Sequence, residues 1–491
     1  MTIKPDENGK NGLGGKVLRG TIWVTILAGF SNMLSLARLF VFARILSPQD
    51  FGLFTLATLL LAALQSFSET GISVALIQNR GDARHYLNAA WTVQIIRGLV
   101  LSAIVIAIAP FYADFFHEYS LSSFLRILSL SIFIKGFTNI GIIYFRKELD
   151  LRKQAFYEMS GQMTDLIVSM ILVFILRNVW GLILGLIARS TVELAMSFAL
   201  HPYRPSISLD RSQTREFSTF GRWIFGSTAL IFIANQLDRV FIGRILGASL
   251  LGYYYMGLRI SEVSFGQIAV IIDKVLFPTY AKIQDNVDQL RRYFTRTLES
   301  IIFVALPLAV MIFFMADDFV PVVLGPKWNT SIPVIKVLAV AGLIRAFTAM
   351  GGALYNACGR PQIDFWLNLL RVSVMLVTIG PLTYKYGIVG TAWAFLIGRI
   401  ITVPPWLFYS MKLTNTKFRA FGGRLYLLCL PSLFLFIFVV AVKVILSTSL
   451  PNFIFTLLSS GFFYIGITLL FWKLFKVAPD LPFRFFRVNN K

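Results

Sequence analysis

The chain has 491 residues, of which 56% are hydrophobic and 14% are charged. Soluble domains carry about 25% charged residues, so this chain has too few polar side chains for a water-facing fold and is predicted to lie in a membrane. Its 46 Lys and Arg exceed its 24 Asp and Glu, a formal charge of +22 that we assign to cytoplasmic loops and not to nucleic-acid binding.

Apolar stretches long enough to cross a hydrocarbon core of roughly 30 Å recur along the whole chain. Fourteen spans are predicted, at 17–44, 51–77, 87–110, 122–145, 155–176, 179–201, 217–244, 250–277, 294–315, 330–357, 362–383, 387–410, 425–446 and 453–475. Each span with its loop occupies about 35 residues, which leaves no room for a separate soluble catalytic domain. The sequence therefore predicts an all-α polytopic membrane protein that is not an enzyme.

The positions of the basic residues predict the orientation. With the N-terminus inside, 26 of the Lys and Arg lie in cytoplasmic segments and five lie in outer loops. The positive-inside rule then places both termini in the cytoplasm. The other 15 lie within the spans and need another explanation. The three His and two Cys show no metal-ligand spacing, and no phosphate-binding glycine loop is found, so we expect neither a metal nor a cofactor.

The chain contains an internal repeat. Residues 44–46 recur at 244–246, residues 134–138 recur as the similar segment 344–348, and residues 186–189 recur as 396–399. Spans one to six and seven to twelve are therefore two copies of one unit, and an even number of spans gives both copies the same orientation. We expect two lobes around a central cavity, with two additional C-terminal spans.

These features define the predicted domains. They are a cytoplasmic N-terminal tail (1–16), an N-lobe (17–201), a cytoplasmic linker (202–216), a C-lobe (217–410), spans thirteen and fourteen (411–475) and a cytoplasmic C-terminal tail (476–491).

Three short motifs around span two resemble a known family. They are Leu46-Ser47-Pro48-Gln49-Asp50-Phe51-Gly52-Leu53-Phe54, Phe67-Ser68-Glu69-Thr70-Gly71-Ile72 and Ala75-Leu76-Ile77-Gln78. They resemble the first-hairpin signature of the polysaccharide transport flippases, the Wzx-type and colanic-acid-exporter-like members of the multidrug/oligosaccharidyl-lipid/polysaccharide superfamily. Gln49 stands where Glu is common in that family, and Glu69 where Asp is common.

This resemblance implies a function, a location and partners. The function is translocation of a polyprenyl-pyrophosphate-linked oligosaccharide to the outer face of the bacterial cytoplasmic membrane, for surface polysaccharide synthesis. The implied partners are that lipid-linked substrate, membrane lipid, and a polysaccharide polymerase or other assembly proteins.

Charged residues within spans are costly and usually face a cavity, a partner or a pathway. Lys135 is predicted near the middle of span four and Arg345 near the middle of span ten, at repeat-equivalent positions. Two such cations near the midplane suit a pyrophosphate. Alternatively, each pairs with a nearby carboxylate or carbonyl group.

Three more arginines are candidates for the same cavity: Arg97 in span three, Arg371 in span eleven and Arg399 in span twelve. Arg399 is the repeat equivalent of Arg189. Because Glu193 lies four residues after Arg189, we predict an ion pair within that helix.

Spans one and seven carry Arg38 and Asp238 at equivalent positions, about 9 Å from their outer ends. We predict that these two residues pair across the lobe interface when the outer side is closed and separate when it opens. The alternative is a static pair, such as Asp238 with Arg239.

Glu69, Asp165 and Asp273 lie on polar faces of spans two, five and eight. A carboxylate in a poorly solvated cavity can bind a proton or sodium, so these three residues are candidates for energy coupling. Alternatively, they are counter-ions for the surplus arginines.

Three classes of function follow. A lipid-linked oligosaccharide flippase explains the spans, the repeat and the basic cavity. A multidrug cation exporter would share the fold but would need an acidic cavity. A membrane glycosyltransferase or polymerase would need acidic catalytic groups in a large outer loop, and the longest outer loop, 316–329, is short.

Overall fold

The computed structural model describes residues 34–68, 84–147, 150–208, 232–233, 235–416, 418–446 and 449–475. These residues form helices joined by short turns, and no strand occurs among them. The all-α prediction is confirmed.

The helices are numbered in chain order. They are α1 (34–45), α2 (Pro48–Phe67), α3 (Arg84–Phe116), α4 (Ser120–Gly136), α5 (Ile143–Lys147), α6 (Leu151–Leu176), α7 (Trp180–Leu200), α8 (235–245), α9 (Gly247–Ile283), α10 (Val287–Phe319), α11 (Ile332–Ala357), α12 (Pro361–Thr414), α13 (Phe418–Ile445) and α14 (Leu450–Phe475).

Within the described residues, eight helical segments are long and apolar enough to cross a membrane. The chain is therefore a multi-pass membrane protein. The count of fourteen spans stays a prediction, because parts of spans one, two and seven lie outside the described residues.

The longest segment, α12, contains a chain reversal. A straight helix of its 54 residues would be about 81 Å long, far more than a membrane needs. At Gly387 the backbone has φ 60° and ψ −143°, a conformation essentially restricted to glycine. The hydroxyl oxygens of Thr383 and Thr391 then lie 2.7 Å apart across the turn. Predicted spans eleven and twelve are the two halves of this helical hairpin.

The chain divides into two compact units between Ser249 and Leu250. In unit one, α3 packs on α4, and α7 packs on α4 and α6. In unit two, α11 packs on α10 and α12, and α13 packs on α10 and α14. Helix α8 lies in unit one, although the sequence repeat makes it the first span of the second copy. The predicted lobe boundaries stay a prediction, since 209–231 lie outside the described residues.

The signature at the start of span two has a clear structural role. Ser47 caps α2 by accepting a hydrogen bond from the Asp50 amide at 3.2 Å, and Asp50 accepts one from the Ser47 amide at 2.9 Å. This reciprocal arrangement satisfies amide groups that a helix start leaves open. Asp50 also accepts from the Val179 amide at 3.1 Å, which connects the start of α2 to that of α7. Gly52 lies directly against the backbone carbonyl of Ala248.

Gly52→Ala is expected to destabilise the protein, because a Cβ atom at this position would overlap the Ala248 carbonyl. Overpacking of this kind costs roughly 1–3 kcal/mol, which thermal unfolding of the detergent-solubilised protein would detect. Gly461→Ala in α14 is the control, since nothing lies within 4 Å of a Cβ atom there. Equal melting temperatures for the two variants would contradict this close contact.

Candidate functional site

Unit one contains a polar cavity of about 630 Å³, walled by α2, α3, α4, α6 and α7 and by residues 138–145. Two of the predicted substrate-binding residues, Arg97 and Lys135, line it. Two carboxylates, Glu158 and Glu193, also line it, and the formal charges of these four residues cancel.

The structure corrects the prediction of one continuous helix over 122–145. Helix α4 ends at Gly136, so Lys135 lies in its last turn, and the depth of Lys135 in the membrane stays a prediction. The helix stops beside a close crossing with α3, where a Cβ atom on Gly98 would lie 2.8 Å from the Gly136 Cα atom. The chain then continues through a short turn at Asn139 into Ile140–Ile142 and α5.

Side chains satisfy the backbone at this break. The Gln94 amide nitrogen lies 3.3, 3.2 and 2.9 Å from the carbonyl oxygens of Lys135, Gly136 and Thr138. The Asn139 side chain donates to the Tyr203 carbonyl at 2.7 Å and accepts from the Gly141 amide at 2.9 Å. Irregular backbone at membrane depth is tolerated where it lines a cavity or is buried in protein, and this break lines the cavity.

Lys135 belongs to a charged group of three. Its ammonium lies 3.8 Å from one Glu193 oxygen, and the Arg189 guanidinium donates to the other oxygen at 2.6 Å. The predicted ion pair between Arg189 and Glu193 is confirmed. The Lys135 side chain is 44% exposed, so it also reaches the open space of the cavity.

Arg97 binds the end of helix α2. It donates to the Ser68 hydroxyl at 3.0 Å and to the Gln65 carbonyl at 3.3 Å. A cation at a helix C-terminus satisfies open carbonyl groups and interacts favourably with the helix dipole. Arg97 therefore positions the end of α2 in the cavity wall.

Unit two brings the other three predicted arginines together. Arg345 in α11, Arg371 in the first half of α12 and Arg399 in its second half lie within electrostatic range of one another. Arg399 is only 6% exposed, its guanidinium carbon lies 4.7 Å from the Phe395 ring centre, and its Nε has no hydrogen-bond partner among the described residues.

Two carboxylates lie within electrostatic range of this cluster, Asp364 near Arg371 and Glu262 near Arg399, and each also has another partner. Asp364 accepts a hydrogen bond from Asn368 at 3.1 Å, and Glu262 lies 3.8 Å from Arg259. In the part of the chain that the structure describes, no carboxylate forms an ion pair with Arg345, Arg371 or Arg399.

The repeat explains why the two units differ. At the offset of 210, Val403 takes the place of Glu193, so Arg399 lacks the partner that Arg189 has. At the same offset Arg371 takes the place of Gly161, whose Cβ position would lie 2.6 Å from Glu193. Positions 135, 161, 189 and 193 therefore carry two cations and one anion in unit one. The four equivalent positions of unit two carry three cations.

The predicted gate residues are both in unit one. Arg38 forms an ion pair with Asp165 of α6. Asp238 is 1% exposed and accepts a hydrogen bond from the Arg239 amide at 2.9 Å. The opening and closing of an Arg38–Asp238 pair stays a prediction.

Of the three coupling candidates, the structure describes the side chain of one. Asp165 is buried, and one of its carboxylate oxygens has no hydrogen-bond partner among the described residues. Asp273 lies in helix α9, and Glu69 lies outside the described residues. Their role in energy coupling stays a prediction.

Sequence reasoning missed several polar residues of the unit-one cavity, among them Asn139, Gln154 and Tyr157. Gln154 donates to Glu158 at 2.8 Å. Gln154 lies on the same face of span five as Asp165, so following that predicted polar face towards the N-terminus would have included it. No signal in the sequence marked Asn139.

Solved structures share this fold. The lipid II flippase MurJ, in an inward closed conformation, matches with a TM-score of 0.76 at 16% identity, over 93% of this chain and 100% of MurJ. An inward-facing multidrug resistance MATE family transporter of the MOP superfamily matches with a TM-score of 0.61 at 16% identity, over 81% of this chain and 98% of that one. The chain thus shares the polytopic helical fold of these two proteins.

The family match is more specific. Residues 41–333 match the family described as polysaccharide biosynthesis protein. The chain belongs to this family, which confirms the resemblance inferred from residues 46–78. One relative, the lipopolysaccharide biosynthesis protein WzxC of Escherichia coli, is 26% identical over 424 residues, which cover 85% of this chain and 86% of WzxC.

Removal of either Arg38 or Asp165 is expected to destabilise the protein, because each leaves the other charge largely buried without its ion-pair partner. In a double-mutant cycle of Arg38→Ala and Asp165→Ala, thermal unfolding should give a coupling of roughly 0.5–3 kcal/mol. Strictly additive losses would show that the contact contributes no stability. The same cycle with Asp238→Ala is the comparison, since coupling to Arg38 there would support the predicted gate pair.

Proposed function

We propose that the protein is a flippase that moves polyprenyl-pyrophosphate-linked oligosaccharides across the bacterial cytoplasmic membrane during surface polysaccharide synthesis. Membership of the polysaccharide biosynthesis protein family supports this proposal, as does the fold shared with a lipid II flippase. The observation that carries it is the arginine cluster of unit two, Arg345, Arg371 and Arg399, which has no ion-paired carboxylate among the described residues.

The energetics favour an anionic ligand at this cluster. Burial of an unpaired charge costs several kcal/mol, and three neighbouring guanidinium groups repel one another. A pyrophosphate would neutralise them, and each guanidinium offers a planar fork that matches phosphate oxygens. The cluster therefore lowers the stability of the empty protein and raises its affinity for the pyrophosphate.

The other predicted cations have a different role in this proposal. Lys135 and Arg97 line the cavity of unit one, where Glu193 and the end of α2 respectively hold them. They reach the substrate as members of a wall that also carries Glu158 and Glu193. The arginines of unit two supply the net positive charge.

We further propose that transport proceeds by alternating access of the two lobes, with both termini in the cytoplasm and without chemical catalysis. The parallel repeat supports two equivalent lobes. The excess of basic residues in alternate loops supports the orientation. A polysaccharide polymerase or other assembly protein is the proposed partner that uses the translocated lipid.

A multidrug exporter is the main alternative, because a multidrug transporter has a similar fold. An organic cation needs carboxylates or aromatic rings free to receive it. The arginine cluster of unit two carries the same positive charge as an organic cation and would repel it. This favours the flippase.

The double variant Arg371→Gln/Arg399→Gln is expected to flip a fluorescent undecaprenyl-pyrophosphate oligosaccharide at least about tenfold more slowly in proteoliposomes, since two charge-assisted contacts to phosphate are lost. Glutamine keeps polarity and approximate size, so expression and melting temperature should be retained or improved.

Arg292→Gln on α10 is the matched control, because it removes an exposed arginine of the same unit. Wild-type flipping rates in the double variant would show that the cluster does not bind substrate. Export of organic cations by a wild-type protein that ignores the lipid would favour the multidrug alternative.

A further inference from the structure

An aromatic cluster joins α5 to the segment that follows α7. The His201 imidazole stacks on the Tyr144 ring, with 6.0 Å between the ring centres, and lies 5.7 Å from the Phe145 ring. The Tyr203 ring lies 6.5 Å from the same imidazole, and the Tyr203 amide donates to His201 Nδ1 at 3.2 Å. This hydrogen bond requires the uncharged imidazole. Both segments are predicted to face the cytoplasm.

Two lysines lie over rings of this cluster. The Lys147 ammonium is 5.8 Å from the centre of the Tyr144 ring, and the Lys153 ammonium is 5.9 Å from the centre of the Phe145 ring. Lys153 also lies 3.3 Å from Asp150. Cation–π attraction acts at distances of up to about 6 Å. The rings therefore restrict the positions of both ammonium groups, while the Lys153 side chain stays exposed.

Arg204 adds a third fixed cation. Its guanidinium donates to the His201 and Tyr203 carbonyl groups at 2.8 and 3.1 Å, and the residue is exposed. The two segments that build the cluster, 144–153 and 201–208, carry five basic and two acidic residues, a formal net charge of +3 with His201 neutral. They are Arg146, Lys147, Arg152, Lys153 and Arg204 against Glu148 and Asp150. The surface is therefore basic even when its carboxylates are counted.

Exposed apolar side chains accompany these cations. Phe156, about one helical turn after Lys153 on α6, is 58% exposed, and Ile207, three residues after Arg204, is 73% exposed. Cations, amphipathic rings and exposed apolar side chains occur together at the headgroup level of a membrane, where charge and hydrocarbon meet. A soluble anion would leave the apolar side chains without contacts, whereas a phospholipid would cover them.

We propose that this basic aromatic cluster binds the phosphate headgroup of an anionic phospholipid in the cytoplasmic leaflet. Lys147, Lys153 and Arg204 contact the phosphate, and Phe156 and Ile207 contact the adjoining hydrocarbon. The site lies wholly within unit one and does not depend on what the protein transports.

The test measures lipid binding to the purified full-length protein in detergent by native mass spectrometry. Dioleoylphosphatidylglycerol is the anionic probe, and dioleoylphosphatidylcholine is the zwitterionic probe with the same acyl chains. Wild type should bind the anionic lipid more tightly, because choline already neutralises the phosphate of the other. Each cation near an anionic lipid contributes about fivefold to binding, so Lys147→Gln/Lys153→Gln/Arg204→Gln should weaken binding of the anionic lipid at least about tenfold.

Two further variants separate this site from a general effect of charge. Lys282→Gln/Arg292→Gln/Lys412→Gln is the matched control, since it removes three exposed basic residues of unit two that are also predicted to be cytoplasmic. It should leave the affinity nearly unchanged. The conservative variant, in which both lysines of the cluster become arginine and Arg204 becomes lysine, keeps every charge and should retain binding.

Four results would overturn the proposal. Wild type could bind the two lipids equally, or the two glutamine variants could lose equal affinity, which would show a response to net charge alone. Inorganic phosphate could displace the anionic lipid when sodium chloride at the same ionic strength does not, which would show a site for free phosphate. Loss of binding in the conservative variant would attribute the effect to packing and not to charge.

Discussion

Charge held away from water must be neutralised, and this constraint governs the interior of both units. In unit one, Arg189 and Lys135 share Glu193, and Arg38 pairs with Asp165. Unit two leaves Arg399 buried with an unpartnered Nε and places Arg345 and Arg371 within electrostatic range of it. One architecture thus contains a polar cavity that cations and carboxylates line together and a cationic cluster whose carboxylates, Asp364 and Glu262, lie beyond ion-pair distance.

Two substitutions between the repeats contribute to this difference. Val403 replaces the carboxylate of Glu193, and Arg371 replaces Gly161, so the second copy loses an anion and gains a cation at positions that meet in the first copy. A simple loss of the carboxylate would leave a destabilised arginine. The added arginine increases the imbalance, which is the arrangement expected where an external anion completes the charge balance.

The broken helix α4 shows how the fold gives Lys135 its environment. The close crossing at Gly98 and Gly136 brings α3 and α4 together. The Gln94 amide then donates hydrogen bonds to carbonyl groups that the end of α4 leaves without partners. The backbone can turn into the cavity wall because those carbonyls are satisfied. The equivalent helix α11 continues for twelve residues beyond Arg345, so equivalent residues occupy different local structures.

The sequence by itself determined the membrane class, most helix positions, the repeat, the family and the candidate cations. These properties follow from local hydropathy and from residue identity, which need no knowledge of neighbouring helices. The ion pair of Arg189 and Glu193 could also be predicted from the sequence, because both residues lie on one helix face. Only the tertiary structure decided that Arg38 meets Asp165, that Lys135 shares Glu193, and that Arg399 stays unpaired. Those contacts depend on the rotation and depth of separate helices, which the periodicity of a single helix does not encode.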